Sequence, residues 1–393
     1  MKKVFLFSLF LVLGLVLSQC LPVWLGEAFL TAEKVAKTLM FVCLAFIMIN
    51  VGREFELDKT KWRSYAADYF IAMATAAVPW IMVAFYYMFL LPADLFGNWD
   101  AWKENLLLSR FAAPTSAGIL FTMLAAAGLR REWIYKKTQV LAIFDDLDTI
   151  LLMIPLQIFM IGFKWQLFAV VIVITFLLVI GWKKLGTIRL SQTWKSILFY
   201  AVCIVAVTES IYLLTKWMMG ADGAIHIEVL LPAFVLGMVM KTVHQHGNRD
   251  EKITGMISYL FMFLVGLSTP QFIGIDHGHR ITEAVGIIAA QPMPSWEVLV
   301  VHVIVVTLLS NLGKMFPLFF YRDRQLEERL ALSVGMFTRG EVGAGIIVLA
   351  MGYNLGGPAL IISVLSLVLN LLLTGGFVVI VKRLAQQAYG LKE

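Results

Sequence analysis

Residues 138–161 read TQVLAIFDDLDTILLMIPLQIFMI. After Thr149 the text is nearly all apolar, and the whole segment has the length, about 20 residues, that carries an α-helix across a bilayer. Three acids, Asp145, Asp146 and Asp148, stand inside it. Whether they meet hydrocarbon or water depends on the rest of the chain. Of its 393 residues, 60% are hydrophobic and only 15% charged, and the mean hydropathy is +0.83. A soluble domain carries about 25% charged residues. The charges here cluster between long apolar runs, so the chain reads as an all-α integral membrane protein. Short alternating strands, the mark of a membrane β-barrel, are missing from the text.

Twelve apolar runs can be counted outward from that segment: 4–20, 35–51, 65–91, 105–128, 138–161, 165–182, 196–215, 228–242, 254–275, 297–320, 330–351 and 357–381. Basic residues test the count, because they concentrate on the cytoplasmic side. With the N-terminus inside, twenty-three Lys and Arg fall in cytoplasmic segments and six in outer ones. The remaining three, Arg110, Lys314 and Arg339, fall inside runs. One miscounted span would destroy this asymmetry, so twelve helices with both termini cytoplasmic are expected, in a plasma (bacterial inner) membrane. The net charge of +6 comes from these boundaries rather than from one basic stripe, which argues against nucleic acid as a partner. Cys20, Cys43 and Cys203 lie at or within apolar runs without a CxxC spacing and suggest neither a disulfide framework nor a zinc site. Lys2-Lys3 followed by an apolar run to Ser18 could be a signal peptide, but a first membrane helix is the better reading.

The halves echo each other. FIMINVG at 46–52 closes the second run, and FMFLVG at 261–266 lies in the ninth, which crosses in the opposite direction. That is the order of an inverted repeat, the plan of many secondary transporters. Chance similarity between apolar segments is the rival explanation.

Charges inside the runs carry the chemistry. An ionised side chain near the bilayer centre costs at least ~2.5–3.5 kcal/mol and is retained when it is paired or functional. If the fifth run enters from the cytoplasm near Thr138, Asp145 lies about seven residues, or roughly 10 Å, inside. Asp145 and Asp146 point about 100° apart and address different neighbours, whereas Asp148 shares the face of Asp145. Three carboxylates in four residues cannot all stay ionised in a dry place. A carboxylate that holds either a proton or a cation is what proton coupling requires. The bland alternative is a wet helix end bearing solvated acids. Lys314, in the tenth run, stands about as deep as Asp145 on the same geometry, so a buried Lys–Asp pair is feasible. Its alternative is snorkelling to the surface.

Two runs are interrupted. The fourth holds Ser109-Arg110, then Pro114-Thr115-Ser116 and Gly118; Pro114 removes a backbone donor and is expected to push Ala113 toward extended geometry. The eleventh holds Gly335, Thr338-Arg339-Gly340-Glu341 and Gly343. Unwound backbone at membrane depth lines cavities, and its carbonyls and half-helix ends bind ions.

Together, Asp145-Asp146, Lys314, the Thr115-Ser116 break and the stretch Glu328-Arg329, Gly335-Met336, Arg339-Gly340-Glu341-Val342-Gly343 resemble the monovalent cation/proton antiporter superfamily. Asn50, Gly52-Arg53-Glu54 and Leu57-Asp58 resemble its second-helix signature. The double aspartate is similar to the electrogenic sodium/proton branch. The resemblance implies that Asp146 binds cation (Na+, K+ or Li+) and proton in turn, that Asp145 pairs with Lys314, and that Thr115, with Ser116 beside it, helps coordinate the ion. It implies a core of about 65–161 and 297–381, a dimerising scaffold of about 4–51 and 196–275, a linker helix at about 165–182, an elevator-like alternating access and a homodimer. Pro114, where a small residue is usual, and Asp148, a third acid, depart from the pattern. Arg339 and Glu341, two apart, do not share a helix face and would find separate partners.

No cofactor and no enzymatic activity are expected; the partners are the cation, the proton and lipid. Glu209 and His302 lie within runs and read first as hydrogen-bonded structural groups. His244 and His246, and likewise His277 and His279, read as polar loops ahead of pH sensors or metal ligands. The rival functions are a sodium-coupled organic anion symporter, which would not need a Lys-balanced aspartate pair; an intramembrane aspartyl protease, whose acids should lie on separate helices; and a sensor built on an inactive transporter scaffold.

Overall fold

The structure is a computed structural model. It describes residues 2–26, 28–54, 62–130, 132–161, 166–184, 186–219, 229–240, 248–268, 286–288, 290–352 and 355–390. Within the helices some side chains, that of Glu341 among them, fall outside the description. Leu57, Asp58, His244, His246, His277 and His279 also lie outside the described residues.

The described chain is all-α. Its helices are α1 (Lys2–Leu25), α2 (Ala28–Glu54), α3 (Trp62–Phe89), α4 (Trp99–Ser109), α5 (Ala117–Ala126), α6 (Trp133–Ile161), α7 (Gln166–Lys183), α8 (Trp194–Met219), α9 (Leu230–Val239), α10 (Asn248–Leu267), α11 (Trp296–Gly313), α12 (Leu326–Gly335), α13 (Glu341–Gly352) and α14 (Gly357–Tyr389). Pairs α4/α5 and α12/α13 are the halves of the two interrupted runs, so the described helices fall onto the twelve runs of the sequence. Among the described residues, six helical stretches are long and apolar enough to cross a membrane by length and composition. Phe199, Val202, Val207, Leu213, Leu214 and Trp217 stand exposed along α8. Such a row has no place against water but suits acyl chains.

Two compact units divide the chain. One comprises Met1–Gly26, Lys61–Met160 and Val265–Glu393; the other comprises Glu27–Thr60 and Ile161–Leu264. In the second unit α2 packs on α8 and α9. Gly52 and Gly237 let the α2 and α9 backbones touch: a methyl on Gly52 would lie 2.2 Å from the Phe234 carbonyl oxygen, and one on Gly237 2.3 Å from that of Ile49. Small residues at such crossings permit the close approach on which packing in lipid depends.

The first unit holds both interrupted helices. Here α3 packs on α4 and α11, and α14 on α11 and α12. The Trp80 indole N–H on α3 donates to the Leu106 carbonyl on α4 at 2.7 Å. A methyl on Gly313, the last residue of α11, would fall 2.5 Å from Pro79 Cα on α3.

Three details differ from the sequence reading. Helix α6 begins at Trp133 rather than near Thr138, because Trp133, Ile134 and Tyr135 extend the helical face with aromatic and apolar groups before Lys136 and Lys137. Helix α11 stops at Gly313. A 3-10 turn, Phe316–Phe319, follows around Pro317, so Lys314 is a helix C-cap and not a mid-helix residue. Glycine and a nearby proline both oppose helix continuation there. Ala113 remains helical (φ −75, ψ −56) despite Pro114. Its N–H bonds the Arg110 carbonyl at 3.0 Å, closing a 3-10 turn that outweighs the proline's preference. The extended residue is Ser116 (φ −70, ψ 97).

Candidate functional site

The two chain breaks meet. Ser116 N–H donates to the Thr338 carbonyl at 2.9 Å, and the Thr115 hydroxyl donates to the Met336 carbonyl at 3.1 Å. A methyl on Gly340 would lie 2.7 Å from Ser116 Oγ, so glycine is what lets the second break pass the first. The crossing brings four half-helix ends together. The N-terminus of α5 is capped by the Ser116 hydroxyl, which accepts from Ile119 N–H at 3.4 Å. Such N-terminal ends carry partial positive charge and the C-terminal ends, α12 at Met336 among them, partial negative charge.

Asp145 faces the crossing. Its Oδ2 accepts the Thr115 N–H at 2.7 Å. Lys314 Nζ donates to both oxygens, at 3.0 Å and 2.9 Å. Asp145 and Lys314 are both fully buried, 0% exposed. Thr149 hydroxyl returns to the Asp145 carbonyl at 2.8 Å, which keeps the helix continuous past the acids. Asp146 is also buried, 3% exposed, and lies in the field of the Lys314 ammonium. Asp148, about 60° around the helix from Asp145, turns toward α3: its Oδ1 accepts the Tyr69 hydroxyl at 2.6 Å. Tyr69 is fixed in turn by an edge-on contact with Phe144 at 5.5 Å between ring centroids.

Two fully buried arginines, Arg110 and Arg339, contact the site's backbone. Arg339 donates to the Met336 carbonyl at 3.1 Å and the Ser310 carbonyl at 3.2 Å. It therefore seats its charge on the carbonyl ends of α12 and α11. Arg110 donates to the Asp148 backbone carbonyl at 3.1 Å and stacks on Trp80 at 4.4 Å.

Thus Asp145, Lys314 and Thr115 are in direct contact, Ser116 and Arg339 bind the second break, and Pro114 lies within the first. The Glu341 side chain is outside the description. His302 is elsewhere on α11, with its Nδ1 2.7 Å from the Tyr86 hydroxyl. Glu209 belongs to α8 in the other unit. Among the described residues no group of three or more His, Cys, Asp and Glu converges as it would on a resident metal ion. A cation at this crossing would rely on a carboxylate with neutral hydroxyl and carbonyl oxygens, a weak set suited to a monovalent ion that must leave again.

Sequence reasoning missed Tyr69 and the carbonyl caps of Arg339. The only signal for Tyr69 was an aromatic hydroxyl inside an apolar run. It also missed a cluster at the far end of α6, where Asp68 accepts from Lys137 at 2.8 Å and from the Tyr321 hydroxyl at 2.7 Å.

A family model described as sodium/hydrogen exchanger, transmembrane, matches residues 2–384. The chain belongs to the sodium/hydrogen exchanger family. A search of curated proteins finds no match. This exchanger's membership covers both interrupted helices, the three aspartates and Lys314. It makes the chain an integral membrane transporter of the class that couples monovalent cations to protons across a bilayer.

Proposed function

We propose that this exchanger moves Na+ (or K+ or Li+) against H+ by alternating access, with Asp146 binding the cation and the proton in turn. The observation that carries this reading is the state of Asp145. Its carboxylate is occupied by the Lys314 ammonium and the Thr115 amide at the crossing of the two breaks. Its role is to hold the crossing and to shelter Lys314, and the exchangeable charge falls to its neighbour. Asp146 in a water-poor interior cannot carry its negative charge uncompensated. A cation or a proton can neutralise it, but not both at once. That exclusion is antiport: a rise in acidity on one side displaces the cation there. Thr115 and Ser116 hydroxyls and the carbonyls of the breaks complete the cation's coordination.

The helices at about 65–161 and 297–381, which hold both breaks, form the transporting core, and those at about 4–51 and 196–275 serve as scaffold. Both termini lie in the cytoplasm of a bacterial inner membrane, and two copies pair.

Proteoliposomes containing a pH-sensitive dye test the reading. Adding Na+, Li+ and K+ in turn to the wild type should drive proton movement with at least one of them. Asp146→Asn should abolish it, a loss of at least about 100-fold. Wild-type rates in that variant would overturn the assignment.

A further inference from the structure

Asp68, in the second turn of α3, is 1% exposed and lies outside the crossing. Lys137, in the second turn of α6, donates to both of its oxygens, at 3.0 Å and 2.8 Å, and the Tyr321 hydroxyl donates to Oδ1 at 2.7 Å. Tyr321 lies between the 3-10 turn that follows α11 and the start of α12. Its φ of +53 is in the left-handed region, which a bulky residue keeps only where its surroundings hold it. The Lys137 ammonium lies over its ring at 4.9 Å, and the Trp133 ring meets it edge-on at 5.7 Å. The Tyr321 carbonyl accepts the Arg324 N–H at 2.8 Å, and the Arg324 guanidinium lies over Trp133 at 5.0 Å.

The segment leading into α12 is thus bound to α3 and α6 by a buried ion pair, a hydrogen bond to a carboxylate and two cation–ring contacts. Joining two helices by a short loop requires none of these, and an ion pair taken out of water is costly to build. Helix α12 then runs only 10 residues, about 15 Å. Its first turn is held further by Glu328, which accepts the Gln325 N–H at 3.2 Å and the Tyr389 hydroxyl at 2.7 Å. Its far end is the Met336 carbonyl, which accepts from Thr115 and Arg339 at the crossing. A rod this short carries a displacement of its start through to its end. Binding groups must stand within about 0.5 Å of their working positions.

We propose that Asp68, Lys137 and Tyr321 are positioning residues for cation exchange: their clasp sets where the carbonyl end of α12 stands at the crossing, and so sets cation affinity. The inference rests on the reading that the cation binds at the crossing beside Asp146.

Tyr321→Phe is the deciding variant, because it deletes one hydroxyl and keeps the ring. In proteoliposomes, KM for whichever of Na+, Li+ and K+ drives proton movement should rise about fivefold or more, with kcat within about twofold of wild type. Asp68→Asn should shift KM in the same direction. Amide hydrogen exchange of the purified full chain, read by mass spectrometry, needs no transported ion. In Tyr321→Phe, peptides covering 326–340 should take up deuterium at least about fivefold faster, while those of α8 keep the wild-type rate. A clasp that serves stability alone would lower the melting temperature and leave KM of the folded protein as it was. An unchanged KM in Tyr321→Phe therefore overturns the proposal, even where Asp68→Asn does not fold. Faster uptake in α8 as well as α12 would also overturn it, since it marks a general loosening. Failure of the Asp146 reading looks different: cation-driven proton movement survives in Asp146→Asn, whatever the uptake at 326–340.

Discussion

Lys314 stands where a buried cation is hardest to keep, and two partners explain it. Asp145 supplies the counter-charge at 2.9 Å, and the carbonyl end of α11, which Lys314 caps, supplies partial negative charge. Removing one member of such a pair strands the other. Lys314→Ala is therefore expected to cost about 3–5 kcal/mol, read as a fall in melting temperature in detergent. An unchanged melting temperature would mean that Asp145 is held by Thr115 alone. The pairing was legible in the sequence because two opposite charges appeared at similar depth in two apolar runs. The Tyr69 bond to Asp148 was not. Nothing in the order of residues fixes the rotation of α3 against α6, and tyrosines are common in membrane helices for other reasons. Arg339's partners were also hidden, since they are main-chain carbonyls that every residue possesses.

Two of the twelve runs are interrupted, and both lie in the first unit. Pro114 and the glycines from 335 to 345 announced both breaks, because they are the residues that oppose helix continuation. The fine geometry was read less well. Ala113 stays helical, and the extended residue is Ser116, since a local 3-10 bond competes with the proline's steric preference. The early end of α11 was similarly obscured: Gly313 and Pro317 lie within a run apolar enough to read as one span. The crossing gives a test that separates tight from loose glycines. Gly340→Ala places a methyl 2.7 Å from Ser116 Oγ and Ile119 Cδ1, whereas Gly345→Ala meets nothing within 4 Å. Exchange rates should fall at least about tenfold in the first and change less than about twofold in the second. Equal rates would place the breaks further apart than this geometry allows.

Over the whole molecule, few charges clustered between apolar runs of about 20 residues were enough for an all-α membrane protein, because a barrel would show short alternating strands. The twelve-run count matches the described helices once each break is read as two halves. The direction of insertion rests on twenty-three basic residues against six. A fluorescent protein that matures only in the cytoplasm, fused after Glu393, should therefore glow, and alkaline phosphatase at the same site should be inactive. An active phosphatase there would invert the topology.

Exchange turns on one acid and two ions, and purified protein in weakly buffered detergent reports on them without any membrane. Addition of Na+ or Li+ to the wild type should release about one proton per chain, since a cation that takes the carboxylate must displace its proton. Asp146→Asn should release none, and Asp148→Asn should still release it at saturating cation. Undiminished release from Asp146→Asn would mean that a group other than Asp146 exchanges the proton for the cation.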